Sequence, residues 1–261
     1  MRILFIGDIV GHPGRLIVKE KLEVLRAELV PEVTLANVEN AAGGFGITPP
    51  LVEELLDWGI AVLTSGNHIW DKKEILPYLR EQAGGRLLRP ANYPPGTPGQ
   101  GAYVGKTTGG TAYAVINLQG RVFMPAIDCP FRKADALLAE LPPEVTVRIV
   151  DMHAEATSEK QALAWYLDGR VTAVLGTHTH VPTADEAILP GGTAYITDIG
   201  MTGPYESIIG MQREAVVRKF IDQLPARFEV AKADVRLAAV LVEADPATGR
   251  ALSIRRIAQG R

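Results

Sequence analysis

The chain has 261 residues, 47% of them hydrophobic and 22% charged, with 27 basic against 30 acidic side chains and a formal net charge of −3. This is a globular balance with material for a core, and it lacks the basic excess of a nonspecific nucleic-acid binder. The single cysteine, Cys129, excludes an intrachain disulfide framework and fits a cytoplasmic setting. The apolar run Ile3–Ile6 is far too short for a signal segment or membrane span, so the expectation is a soluble, unprocessed chain with no membrane partner.

In chain order, Ile3–Ile6 predicts a strand ending at Gly7-Asp8. Leu16, Leu22, Leu25 and Leu29 fall near helical spacing and predict a helix over Leu16–Leu29. Val33–Val38 reads as a strand ending at Glu39-Asn40. Thr48 reads as an N-cap, with Pro49 opening a helix to Trp58. Ile60–Leu63 is a strand ending near Asn67-His68, and a helix follows over Lys72–Gln82. Tyr103 and Tyr113 lie in short β-like segments around Gly109-Gly110. Thr146–Val150 is a strand leading to Asp151 and His153. Ser158–Leu167 is a helix with Ser158 as its cap, and Val171–Leu175 is a strand leading to His178 and His180. Val235–Val242 and Ala251–Ile257 flank Asp245-Pro246-Ala247-Thr248-Gly249, which is a hairpin signature. With no internal repeat or linker, residues 1–261 read as one α/β domain.

Strand–helix alternation implies a sheet whose ligands bind beyond the carboxyl ends of the strands. The residues placed there are Asp8, Glu39, Asn40, Asn67, His68, His153, His178 and His180. They comprise two carboxylates, two amides and four imidazoles, and no thiolate. Such donors suit a first-row divalent metal. The set is larger than one zinc-like site requires, and two cations fit it better than one. Two divalent cations set against two carboxylates and a hydroxide retain positive charge, which favours a phosphate anion.

Each residue alone has a plainer explanation. Asp8 could cap the helix that Pro13 opens, and Glu39, Asn40 and Asn67 could be turn residues. His153 alone suits a hydrogen-bonded structural role. His178 and His180, at strand spacing, place both rings on one side. Recurrence at successive strand ends is what favours a metal site. His12 reads as a solvated turn histidine near the site, Cys129 as a packed thiol, and Trp58, Trp70 and Trp165 as core or cleft wall. The loop Gly200–Pro204 reads equally as a wall of the site or as a structural turn.

The segments GDIVG (7–11), NVENAAGG (37–44), GNHIWD (66–71), HAEATSEK (153–160) and GTHTHVPTAD (176–185) resemble the YmdB-type branch of the calcineurin-like metallophosphoesterases. The resemblance runs in order from Arg2 to about Gly210. Val10 stands where the wider superfamily has the histidine of Asp-x-His, and Val38-Glu39-Asn40 stands where it has Gly-Asp. Both departures match the YmdB-type branch. The resemblance implies a layered α-β-β-α sandwich with its metal site at the C-terminal ends of the strands. It also implies one metal held by Asp8, Glu39, Asn40 and His180, and a second held by Glu39, Asn67, His153 and His178. His68 is left free to face the substrate as general acid, with Asp71 a candidate to orient it.

The implied reaction is hydrolysis of phosphodiesters, with 2′,3′-cyclic nucleotides favoured, and whether RNA ends are also accepted is left open. The implied cofactors are two divalent or mixed-valence transition-metal ions, iron or manganese ahead of zinc. A phosphomonoesterase or nucleotidase, and a noncatalytic metal-dependent sensor of nucleotides or RNA ends, stand as alternatives. The C-terminal hairpin offers either an edge for homo-oligomerisation or the completion of a sheet.

Overall fold

A computed structural model describes residues 1–81 and 85–260. The elements in order are β1 (Arg2–Ile6), α1 (Gly11–Leu29), β2 (Val33–Asn37), α2 (Pro49–Asp57), β3 (Val62–Thr64), a 3₁₀ turn (Asn67–Trp70), α3 (Ile75–Glu81), β4 (Ala102–Lys106), β5 (Ala112–Gln119), α4 (Pro130–Glu140), β6 (Val147–His153), α5 (Thr157–Leu167), β7 (Ala173–Thr177), β8 (Ala187–Ile188), β9 (Ala194–Ile196), β10 (Gly203–Pro204), α6 (Arg213–Asp222), β11 (Val235–Ala244) and β12 (Ala251–Gly260).

The strands form two sheets. In the first, β1, β2 and β3 run parallel, β11 joins β1 antiparallel, β12 pairs with β11, and β10 pairs with the start of β11. In the second, β5, β6, β7 and β9 run parallel, with β4 and β8 antiparallel at the edges. Strand alternation sends successive side chains to opposite faces. Ile3, Phe5, Val33 and Leu35 thus meet Val115, Val147, Ile149 and Leu175 in a core between the sheets. The other faces carry helices: Leu4, Ile6 and Leu63 pack with residues of α1, α2 and α3, while Ile116, Val150 and Val174 pack with residues of α4 and α5. Among the described residues, no helix is long and apolar enough to cross a membrane.

Several sequence expectations change. α1 starts at Gly11, five residues before Leu16, because Pro13 fits a first helical turn. His12, read as a solvated turn histidine, is exposed as expected but lies in that first helical turn. The N-caps are Val10 before α1 and Ala156 before α5, so neither Asp8 nor Ser158 caps a helix. Thr48 does sit at the cap of α2, without a side-chain cap bond. Trp165 is 60% exposed, because α5 turns Leu163, Ala164 and Leu167 inward and 165 falls on the opposite face. Trp58 and Trp70 pack against the core. The predicted helix end at Gln82 lies outside the described residues. Helices α4 and α6 and strand β9 had no predicted counterpart, their local patterns being short or interrupted.

Candidate metal centre

The C-terminal ends of β1, β2 and β3 in one sheet meet those of β6 and β7 in the other. Asp8 follows β1, Glu39 and Asn40 follow β2, and Asn67 and His68 open the 3₁₀ turn after β3. His153 ends β6, and His178 and His180 follow β7. Two groups form there.

The first surrounds His153 Nε2. Glu39 Oε1 lies 3.2 Å away, Asn67 Oδ1 3.1 Å and His178 Nδ1 3.1 Å. Donor atoms that share a cation at about 2.0–2.2 Å stand about 3–3.5 Å from one another. Among the described residues, Glu39, His153 and His178 are the acid–imidazole group spaced to hold a metal ion. The far side of each ring is accounted for. Thr177 Oγ1 donates to Asp151 Oδ1 (2.7 Å) and therefore accepts from His153 Nδ1–H (2.9 Å), which directs Nε2 into the group. His178 Nε2 faces Glu155 Oε2 at 3.2 Å, leaving Nδ1 inward. Gly66 makes the approach feasible: a Cβ there would lie 2.1 Å from His153 Nε2 and 2.5 Å from Glu39 Oε2.

The second group is Asp8, Asn40 and His180. His180 Nδ1 donates to Ile209 O (2.9 Å), so its Nε2 presents a lone pair. That lone pair faces Asn40 Oδ1 at 3.2 Å and Asp8 Oδ1 at 4.0 Å. Asn40 is held in this orientation because its Nδ2 donates to Gly44 O (2.9 Å). Three acceptors thus face one another, and the wholly buried Asp8 Oδ1 has no hydrogen-bond donor among the described residues. Buried acceptors without a donor are costly, and a cation relieves that cost. The donor set therefore fits a metal. The His178 main-chain N–H donates to Asp8 Oδ2 (3.4 Å) and links the two groups.

The electrostatics agree. Burial pushes the His178 imidazole down to about 3, with His153 adding to the effect, and burial also lowers His180, so both rings are neutral donors. Burial, followed by the Asp198 charge, holds the Asp8 carboxyl well above its ordinary range. Burial also opposes ionisation of Glu39, but the His153 imidazolium, and then His68, outweigh it and hold the carboxyl at about 2. Glu39 in turn raises His153 against the effect of burial. A proton on His153 Nε2 thus takes the position that a cation bound to this group would take.

His68 stands apart from both groups. Its main-chain N–H donates to Glu39 Oε2 (3.0 Å), and its Nδ1 lies 2.8 Å from Asp71 Oδ2. Phe45 packs edge-on against the ring at 5.1 Å. His68, Glu39, Asn40, His178 and His180 line a cavity of about 660 Å³ that is also lined by Phe45, Phe220, Phe228, Lys219 and Gln223. His178 and His180 adopt left-handed φ of 101° and 65°. For non-glycine residues this costs about 1–3 kcal/mol each and persists only when surrounding bonds impose it.

Sequence reasoning missed several contributors. Asp151 accepts from Thr177, Thr64 and Asn37, tying the two sheets together behind His153. The signal for it was its position two residues before His153, on the same face of β6. Glu155 and Lys160 lay unassigned in the HAEATSEK segment. Asp198 and the α6 wall had no local signal. The loop Gly200–Pro204 bonds beneath the site, with Thr202 N–H donating to Asp8 O (2.8 Å) and Met201 N–H to His180 O (3.2 Å). Cys129, half-buried, precedes α4 as its N-cap residue.

Two sheets with acids, amides and imidazoles gathered at their strand ends make this a mixed α/β protein with a candidate metal site. This chain belongs to the YmdB-like family, whose model, described as "YmdB-like protein", matches residues 4–257. It is 52% identical over 257 residues to the 2′,3′-cyclic-nucleotide 2′-phosphodiesterase of Bacillus subtilis (strain 168), covering 98% of this chain and 96% of that protein. Two crystal structures are similar throughout. One is a hypothetical protein from Thermus thermophilus, with TM-score 0.93 and 42% identity over 100% of this chain and 99% of that one. The other is a novel phosphatase from Mycoplasma pneumoniae, with TM-score 0.92 and 34% identity over 100% and 93%.

Proposed function

We propose that this protein is a metal-dependent phosphodiesterase acting on 2′,3′-cyclic nucleotides or similar small phosphodiesters. We read it as a single-domain cytoplasmic enzyme with a metallophosphoesterase-like α-β-β-α sandwich and its metal site at the C-terminal strand ends. The observation that carries the reading is the convergence of lone pairs on His153 Nε2 and around Asp8 Oδ1, beside a cavity large enough for a small molecule. The 52% identity to a 2′,3′-cyclic-nucleotide 2′-phosphodiesterase supports the substrate class.

In this reading Asp8, Glu39, Asn40 and His180 hold one cation, and Glu39, Asn67, His153 and His178 hold the other. Iron or manganese is favoured, and the oxygen–imidazole donors also admit zinc. Cations there supply Lewis-acid stabilisation of the phosphate and a water acidic near neutral pH. The protein supplies the rest. His68 gives its Nε2 proton to the departing oxygen, while Asp71 holds Nδ1 and keeps Nε2 turned to the cavity. Phe45, Phe220 and Phe228 give the same cavity an aromatic lining suited to a nucleoside.

The test strips the protein with chelator, restores manganese, iron or zinc singly, and compares a 2′,3′-cyclic nucleotide, bis(p-nitrophenyl) phosphate and the nucleoside monophosphate. Faster hydrolysis of the diesters, abolished by chelator, is expected. Preference for the monoester would make it a phosphomonoesterase. Metal binding with no turnover would make it a sensor.

A further inference from the structure

Lys160 is among the largest wholly buried side chains, on the α5 face that also carries Leu163, Ala164 and Leu167. Its Nζ donates to Asp198 Oδ2 at 2.8 Å, and Asp198 is wholly buried as well. A buried ion pair repays its desolvation poorly, so stability alone is a weak reason to keep one. Neither residue belongs to the groups described above.

Asp198 uses its oxygens for more than the lysine. Oδ2 also accepts the Thr179 main-chain N–H (3.1 Å) and the Thr179 hydroxyl (2.8 Å), and Oδ1 accepts the Gly200 N–H (2.8 Å). Thr179 is the residue between His178 and His180, both held at left-handed φ. Asp198 therefore clamps the middle of a strained tripeptide whose two ends are imidazoles of the candidate centre. An amide at 198 offers one acceptor oxygen where the carboxylate offers two, so it cannot serve Thr179 and Gly200 together. Lys160 neutralises the clamp from behind, so that a carboxylate can be buried there.

We propose that Lys160 and Asp198 are positioning residues, a buried ion pair that grips Thr179 and thereby sets both His178 and His180 for a cation. The proposal rests on the metal reading above.

The test measures Mn²⁺ affinity of chelator-stripped protein by calorimetry, together with the melting temperature, for the parent chain, Thr179→Ser, Thr179→Val and the double variant Lys160→Met/Asp198→Asn. Thr179→Ser keeps the hydroxyl and should bind Mn²⁺ like the parent. Thr179→Val and the double variant should bind about 10–100-fold more weakly. The double variant buries no unpaired charge but leaves a donor of Thr179 or Gly200 without its acceptor, so it should stay folded and melt somewhat below the parent, and the separation of affinity from stability rests on Thr179→Val. Thr179→Val carries the test alone if the double variant does not fold. Parental affinity in a folded Thr179→Val or double variant, with tight binding by the parent chain, would overturn the clamp alone. Failure of the parent chain to bind Mn²⁺ would overturn the metal reading and the clamp with it.

Discussion

Glu39 Oε1 and His153 Nε2 stand 3.2 Å apart, although they lie at the ends of strands in two different sheets and are separated by 114 positions in the chain. The contact is buried on both sides, and Asn67 Oδ1 and His178 Nδ1 close around the same nitrogen. It is the point where the two sheets make one site.

Glu39→Gln should preserve size and remove the negative charge. Cation affinity is expected to fall at least about 10-fold and turnover to fall with it. Elemental analysis beside diester kinetics checks this. Full turnover at unchanged metal content would argue against Glu39 as a shared ligand.

Gly66→Ala should fail for steric reasons. The new methyl would sit 2.1 Å from the His153 ring and 2.5 Å from Glu39 Oε2. Overpacking of this kind costs about 1–3 kcal/mol, and each kcal/mol lowers the melting temperature by about 2–4 °C in a chain of this size. Thermal melts and Mn²⁺ titration should both register the change. A variant unchanged in both would show that the backbone gives way more easily than the buried contacts suggest.

His68→Ala should depend on the leaving group. Loss of a general acid costs about 10²–10⁴-fold when the departing oxygen is a poor leaving group. With a nitrophenyl leaving group, which departs unprotonated, the loss should be small. Asp71→Asn should show the same pattern more weakly, since Asp71 contacts His68 Nδ1 and, in the proposed function, would act only by orienting that ring. Equal losses on both substrates would point to misfolding of the 3₁₀ turn and not to proton transfer.

The pH dependence follows from His153. Burial disfavours its charged form, but Glu39 outweighs burial and raises its pKa above 6.5. In cation-free protein the resulting ion pair contributes stability that is fully present below pH 6.5 and is lost as pH rises through the raised value. Under the proposed function a cation would compete for the same Nε2, so its affinity should fall as pH falls through that value, and binding near pH 7 should release protons. Calorimetry in buffers of different ionisation heat measures the release. No release near pH 7, with affinity flat down to pH 6, would contradict the assignment.

Much of this was legible locally. Alternating apolar and amphipathic runs marked β1, β2, β3, β6, β7 and the terminal hairpin, because strand and helix periods are properties of neighbouring residues. The polar residues after those strands stood out because each interrupts an apolar run. The family resemblance added the motif order, and the family match over residues 4–257 agrees with it. The buried Lys160 was not legible, since a lysine in an amphipathic helix ordinarily points to water.

By itself the sequence determined which residues stand at the strand ends and which chemistry they offer, because both depend on spacing along the chain and on side-chain type. The tertiary structure decided what those residues meet. It folded two sheets face to face, so that Glu39 reached His153, Asp151 tied Asn37 and Thr64 to Thr177, and Asp198 closed on Thr179 with Lys160 behind it. Those partners lie far apart along the chain, and only packing the apolar faces of both sheets into one core brings them within hydrogen-bonding distance.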